Sequence, residues 1–182
     1  MLIIGLDQST TAVGYSIFKD GELIDYGLIK PKSSKKTLCV NIAPSPHLYS
    51  ITMPEEEYGT TLLRISAISD VLSHLFNRYN PDVVYFEEIY ENRNPKGFRS
   101  LARLQGFIAC LCWQKAIRYC IVEENKWISY WGTYSREVKR PERKTDIMKK
   151  INDLYGLDIT IDDISDSIAI GAYAVSVEEK GE

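Results

Sequence analysis

Apolar and polar positions follow two periods along the chain, and where the period changes an element changes with it. Leu2 to Asp7 is a nearly unbroken apolar run, the pattern of a central strand covered on both faces. Val13 to Phe18 alternates, with Val13, Tyr15 and Ile17 on one side. Leu23 to Ile29 is again rich in strand formers after an Asp20-Gly21 turn, so the two make a hairpin beside the first strand. From Pro31 to Glu57 four prolines interrupt the pattern, which predicts a long loop over about residues 31–57 with room for a short strand at Leu38 to Ile42. Leu62, Ile65, Ile68, Leu72, Leu75 and Phe76 recur at helical spacing until Asn80-Pro81 ends the helix.

Val83 to Phe86 reads as a second buried strand and Tyr119 to Val122 as another short one. Between them Leu101, Leu104, Ile108 and Leu111 form the apolar stripe of a helix whose opposite face carries Lys96, Arg99 and Arg103. Glu123 to Gly132 predicts a short helix and turn, Arg136 to Arg143 a charged loop, and Lys144 to Tyr155 and Asp162 to Val177 two more helices. The reading is a mixed sheet followed by helices, without repeats or low-complexity tracts.

The 182 residues, 45% apolar and 26% charged, fit one domain over 1–182. At this size folding hides about 70% of the surface of the unfolded chain, so a core closes without a disulfide or structural metal. Disordered, collagenous and mini-protein classes are excluded. No apolar run approaches the roughly 18 residues of a membrane span, and no basic stretch precedes the first strand, so a cytoplasmic protein is expected. Cys39, Cys110, Cys112 and Cys120 form no C-x2-C knuckle, and only His47 and His74 could complete a zinc site; reduced thiols are the expectation.

Net charge is -3, but its distribution is uneven. Residues 30–36, 92–118 and 136–150 together hold 17 basic and 3 acidic side chains, leaving 5 basic and 22 acidic ones elsewhere. An acidic body with basic segments suits a polyanion bound at one face. Arg140 and Arg143 belong to the last of these segments and are candidate contacts for that polyanion.

Four carboxylates stand where a core would not place them. Asp7 closes the first apolar strand and Glu87 closes Val83-Val84-Tyr85-Phe86, so acids end two central strands. Isolated buried carboxylates cost several kcal/mol unless paired or bound to a cation, so two near each other imply a third party. Asp163 and Asp166 are three apart in the last helix and face the same way, followed on that face by Ile170. Carboxylate oxygens without His or Cys select Mg²⁺, with Mn²⁺ able to substitute, over zinc. Two such ions roughly 4 Å apart can activate a water and stabilise the departing oxyanion of a phosphodiester. An Asx turn at Asp7 and a first-turn helix acid at Asp163 are the plainer readings of single residues.

At these residues the chain resembles a known family. Ile4-Gly5-Leu6-Asp7-Gln8-Ser9-Thr10-Thr11-Ala12-Val13-Gly14-Tyr15, Phe86-Glu87-Glu88 and Asp163-Ile164-Ser165-Asp166-Ser167-Ile168-Ala169 resemble, in order and spacing, the three signature blocks of RuvC-like Holliday junction resolvases. The resemblance implies an α/β RNase H-like fold: a central mixed five-stranded sheet, three antiparallel N-terminal strands then two parallel ones, flanked by helices. It also implies a homodimer and Mg²⁺-dependent nicking of opposed strands at a four-way DNA junction, with Asp7, Glu87, Asp163 and Asp166 holding two ions. By the same resemblance Tyr90 stacks on an unpaired base at the crossover, Lys144 lies near the scissile phosphate, and Arg93, Lys96, Arg99 and Arg103 run along phosphates. The segments 31–57 and 127–143 match more loosely, as in a bacteriophage-encoded branch.

Three rivals share parts of this pattern. Gly5-Leu6-Asp7-Gln8-Ser9-Thr10-Thr11 is also similar to the first phosphate loop of actin-like sugar kinases, but a second phosphate loop and a Gly-rich adenosine motif are not found. A non-catalytic DNA-binding module would tolerate losing one of the four acids, and all four are present. Another nuclease of the same fold, a ribonuclease or flap nuclease, shares the acidic centre and differs in the substrate it selects.

Overall fold

The computed structural model describes residues 1–91, 94–133 and 140–181. Strands β1 (Leu2–Asp7), β2 (Val13–Lys19) and β3 (Glu22–Ser34) pair antiparallel in sequence order. The turn between the last two has Asp20 at φ 51° and Gly21 at φ 86°, the left-handed pair that a two-residue hairpin requires. Strands β4 (Asn41–Ser45) and β5 (Leu48–Pro54) follow, then α1 (Glu55–Gly59) and α2 (Thr61–Tyr79), which stops at Asn80 in left-handed backbone. Strand β6 (Val83–Glu87) pairs parallel with β1; α3 (Pro95–Gln114) returns the chain to β7 (Arg118–Val122), parallel to β6. Helices α4 (Glu124–Tyr130), α5 (Arg140–Tyr155) and α6 (Asp162–Lys180) complete the chain.

The sheet has seven strands in the order β4-β5-β3-β2-β1-β6-β7, two more than the five expected. Both additions lie in the segment 31–57, expected as a loop with room for a short strand at Leu38 to Ile42; β4 starts at Asn41 and so falls mostly after that stretch. In Leu48–Pro54, Tyr49, Ile51 and Met53 are buried while the residues between them are only partly covered, a period of two that the surrounding prolines obscured. Strand β5 runs parallel to β3, which extends through Pro31 to Ser34, and β4 forms the fully exposed edge, where Pro44 is tolerated because an edge strand can spare a donor. The charged loop expected over 136–143 is likewise corrected at its end: Arg140 to Arg143 form the first turn of α5, with Pro141 early in the helix where a missing N–H costs nothing.

Two apolar layers cover the sheet. Ile4, Leu6, Val13 and Phe86 pack with Ile65, Leu72 and Leu75 of α2 and Leu104 and Ile108 of α3. Ile3, Phe18, Val83 and Tyr85 pack with Trp127 of α4, Ile147 and Ile151 of α5, and Ile164 and Ile168 of α6. This accounts for the absence of alternation in β1: its two faces both meet helices.

Helix α6 lies against β1 and β2 at backbone distance, and glycines permit it. A Cβ on Gly5 would stand 2.6 Å from the Gly171 nitrogen, and one on Gly14 would stand 1.8 Å from the Asp163 carbonyl oxygen. Ser16 secures the contact by donating its hydroxyl to the Ser167 carbonyl at 2.7 Å.

Candidate active site

Three features of the fold bring the acids together. Strands β1 and β6 are neighbours with Leu6 beside Phe86, so the residues that follow, Asp7 and Glu87, close their strands at the same end of the sheet. Asp7 is opposite Gly14 in the β1–β2 register, and Gly14 is where the first turn of α6 touches the sheet through Asp163. Asp166 is one helical turn further on, buried at 5% exposure. All four carboxylates line one cavity of about 210 Å³, together with Gln8, Trp127 and Lys144.

The electrostatics are those of crowded anions. Burial, then repulsion from Asp166, Glu87 and Asp163, pushes the Asp7 carboxyl well above its ordinary range. Glu87 is pushed up to about 7, by burial and by Glu124, against the opposing hydrogen bond from Trp127. Burial also raises Asp163 and Asp166; a hydrogen bond with Asp7 opposes the rise at the first, and the Lys144 ammonium opposes it at the second. Burial pulls the Lys144 ammonium down, but hydrogen bonds to Asp162 and Asp166 outweigh it and hold it above its ordinary value. Its Nζ lies 2.7 Å from Asp162 and 3.1 Å from Asp166.

Glu87 is held from three directions. The Trp127 indole donates to its Oε1 at 3.1 Å, while Gln8 and Gln105 donate their side-chain amides to its main-chain carbonyl at 2.7 and 3.1 Å.

The donor set is made of hard oxygens, which fits a divalent cation. Asp166 Oδ1 is buried without a hydrogen-bond partner, a position that a cation would satisfy. Among the described residues no group of three or more His, Cys, Asp or Glu side chains is arranged close enough to hold a metal ion as it stands. Instead Asp166 is turned to Lys144 and Glu87 to Trp127, so the side chains rest on protein partners.

Of the other residues singled out in the sequence, Arg140 and Arg143 line the same cavity, Arg143 at 3.8 Å from Glu124. Lys96, Arg99 and Arg103 line a second, larger cavity of about 740 Å³ with Ser9 and Thr10. Ser9 and Leu101 border both, so the basic cavity adjoins the acidic one. Tyr90 is exposed just beyond β6. Arg93 lies outside the described residues.

Sequence reasoning missed Gln8, Trp127, Glu124 and Asp162. Gln8 carried a signal, being a large polar residue directly after Asp7 at the end of a buried strand. Trp127 carried none, because a buried tryptophan on a short helix reads as core.

A seven-stranded mixed sheet with one helix laid across β1, and acids at the ends of β1, β6 and the start of that helix, has the fold of the RuvC-like resolvases. It matches Thermus thermophilus RuvC in complex with Holliday junction substrate with a TM-score of 0.69 at 13% identity, covering 100% of this chain and 97% of that one. It matches a fowlpox virus resolvase, solved with substrate Holliday junction DNA, with a TM-score of 0.55 at 15% identity over 98% and 99% of the two chains.

In sequence, the crossover junction endodeoxyribonuclease RuvC of Caldicellulosiruptor saccharolyticus is 26% identical over 93% of this chain and 89% of its own length. That of Dictyoglomus turgidum is 30% identical over 112 residues, 59% of this chain and only 56%, about half, of its own length. The chain belongs to the family described as Lactococcus phage M3 protein, which matches residues 47–176.

Proposed function

We propose that this chain is an endonuclease that resolves four-way DNA junctions by paired nicking of opposed strands, as a homodimer and with Mg²⁺. The observation that carries the reading is the convergence of Asp7, Glu87, Asp163 and Asp166 on one cavity beside a basic one. Asp7, at the end of β1, would hold the metal together with Glu87, Asp163 and Asp166, which line the same cavity. Two Mg²⁺ ions held there would supply activation of the attacking water and stabilisation of the departing oxyanion.

The protein's own groups do the rest. Lys144, already beside Asp166, supplies a positive charge that offsets the charge gained by the phosphate in the transition state. Lys96, Arg99 and Arg103 hold the strand by its phosphates, which gives sequence-independent affinity. Arg140 and Arg143 border the cavity mouth, and Tyr90 offers an exposed ring for stacking on an unpaired base. Trp113 and Tyr119 line an apolar hollow between α3 and β7, which supports pairing with a second copy. Among the described residues no helix is long and apolar enough to cross a membrane.

The test is cutting of a four-way junction, a flap, a duplex and an RNA/DNA hybrid in Mg²⁺ and in EDTA. Metal-dependent, symmetrical nicks in the junction are expected. Asp7→Asn should still bind the junction while cutting at least about a hundredfold less, a loss of roughly 2.7 kcal/mol of transition-state stabilisation. Activity confined to the hybrid would make the chain a ribonuclease instead.

A further inference from the structure

Gln8 is 7% exposed, and its side chain has one satisfied end and one unsatisfied end. The satisfied end is Nε2, which donates to the Glu87 carbonyl at 2.7 Å. That bond fixes the orientation of the amide, because a flipped amide would set oxygen against oxygen. Oε1 is left buried with no hydrogen-bond partner, on a residue that lines the acidic cavity. Asp166 Oδ1 is also buried and unpartnered in the same cavity. Buried oxygens rarely lack a partner, and two in one cavity call for a common occupant. Gln8 Oε1 can only accept, and so can Asp166 Oδ1 when ionised, so the occupant presents positive charge to both; beside four carboxylates a cation fits best.

We infer that Gln8 is a further oxygen ligand for a divalent cation in this cavity, a role that rests on the nuclease reading and adds a residue to it. An amide oxygen is a hard neutral donor, suited to Mg²⁺ or Mn²⁺. Neutrality matters here, since four carboxylates already repel one another and a fifth charge would deepen that repulsion. The clamp on the Glu87 carbonyl is duplicated by Gln105, at 3.1 Å, so the contribution of Gln8 that no other residue repeats is its oxygen.

The two contributions separate by calorimetric titration of MgCl₂ into the full chain without DNA. Gln8→Met keeps the side-chain length and removes both amide atoms, whereas Gln105→Met removes only a clamp. Gln8→Met should weaken Mg²⁺ binding at least about tenfold and Gln105→Met less than about threefold. Gln8→Asn, which keeps the amide but draws it back by one methylene, should show the same loss and serves if the methionine variant does not fold. Equal losses in the Gln8 and Gln105 variants would reduce Gln8 to a clamp, and no loss in either Gln8 variant would remove the ligand. Both results overturn this inference while leaving the nuclease reading intact if the wild type cuts junctions in Mg²⁺. A wild-type chain that takes up no Mg²⁺ and cuts nothing overturns both.

Discussion

Lys144 Nζ lies 3.1 Å from Asp166 Oδ2, an ammonium and a carboxylate joined where the site is most deeply buried. With no divalent cation this lysine is the nearest positive charge to the acid, and removing it leaves a buried carboxylate without a counter-charge. Lys144→Met should therefore destabilise the metal-free protein by about 3 kcal/mol near pH 8, as measured by urea unfolding in EDTA. The deficit should shrink as pH falls, because burial raises the Asp166 carboxyl and an added proton removes the uncompensated charge. Junction cutting should fall about a hundredfold with junction affinity little changed, since the charge is needed most in the transition state.

The raised carboxyls give the metal-free protein an inverted pH profile. The folded pKa of Glu87 is about 7 against an ordinary 4.5, so between those values the folded state binds more protons than the unfolded state, and stability falls as pH rises. Asp7, Asp163 and Asp166 shift in the same direction, while Lys144, held above its ordinary value, stays charged in both states throughout. Glu87 alone is worth about 3 kcal/mol between pH 4.5 and 8. Thermal unfolding in EDTA should show a lower melting temperature at pH 8 than at pH 5, and saturating Mg²⁺ should reverse most of that loss. A melting temperature in EDTA that rises with pH over this range contradicts the crowded-anion description.

Two glycine substitutions should act with opposite sign. Gly14→Ala places a methyl 1.8 Å from the Asp163 carbonyl, so α6 must lift from β2 and carry Asp163 with it. A loss of at least about 3 kcal/mol is expected, together with weaker Mg²⁺ binding. Gly106→Ala, mid-helix in α3 with nothing within 4 Å of the added methyl, should stabilise by about 0.5–1 kcal/mol. Urea unfolding of both variants measures the contrast.

Arg99→Ala tests the basic cavity. Losing one phosphate contact should lower the slope of log affinity against log salt by about 0.9 and weaken junctions of different sequence to the same extent. Binding measured in EDTA at several salt concentrations gives the slope, and an unchanged slope places the DNA elsewhere.

Local pattern determined much of this protein. The unbroken apolar run of β1, the Asp20-Gly21 hairpin and the heptad-like stripe of α2 are properties of consecutive residues, and each element formed where its period indicated. The acids ending β1 and β6 were legible for the same reason, since a carboxylate closing a buried strand is anomalous in sequence before any contact is known. Strand β5 was not, because prolines broke the short alternation at Tyr49, Ile51 and Met53, and only pairing with β3 shows which face is inside; β4 overlaps the short strand expected at Leu38 to Ile42 at Asn41 and Ile42 only.

What the tertiary structure alone decided is how the site is held. The glycines at 5 and 14 are ordinary strand residues until α6 is seen against them, and that contact sets Asp163 beside Asp7. Trp127 is 40 residues from the Glu87 it supports, and Gln8 is oriented by a carbonyl 79 residues away. Hydrogen bonds between distant segments leave no period in the chain, since each depends on the packing of elements whose individual sequences are satisfied without it.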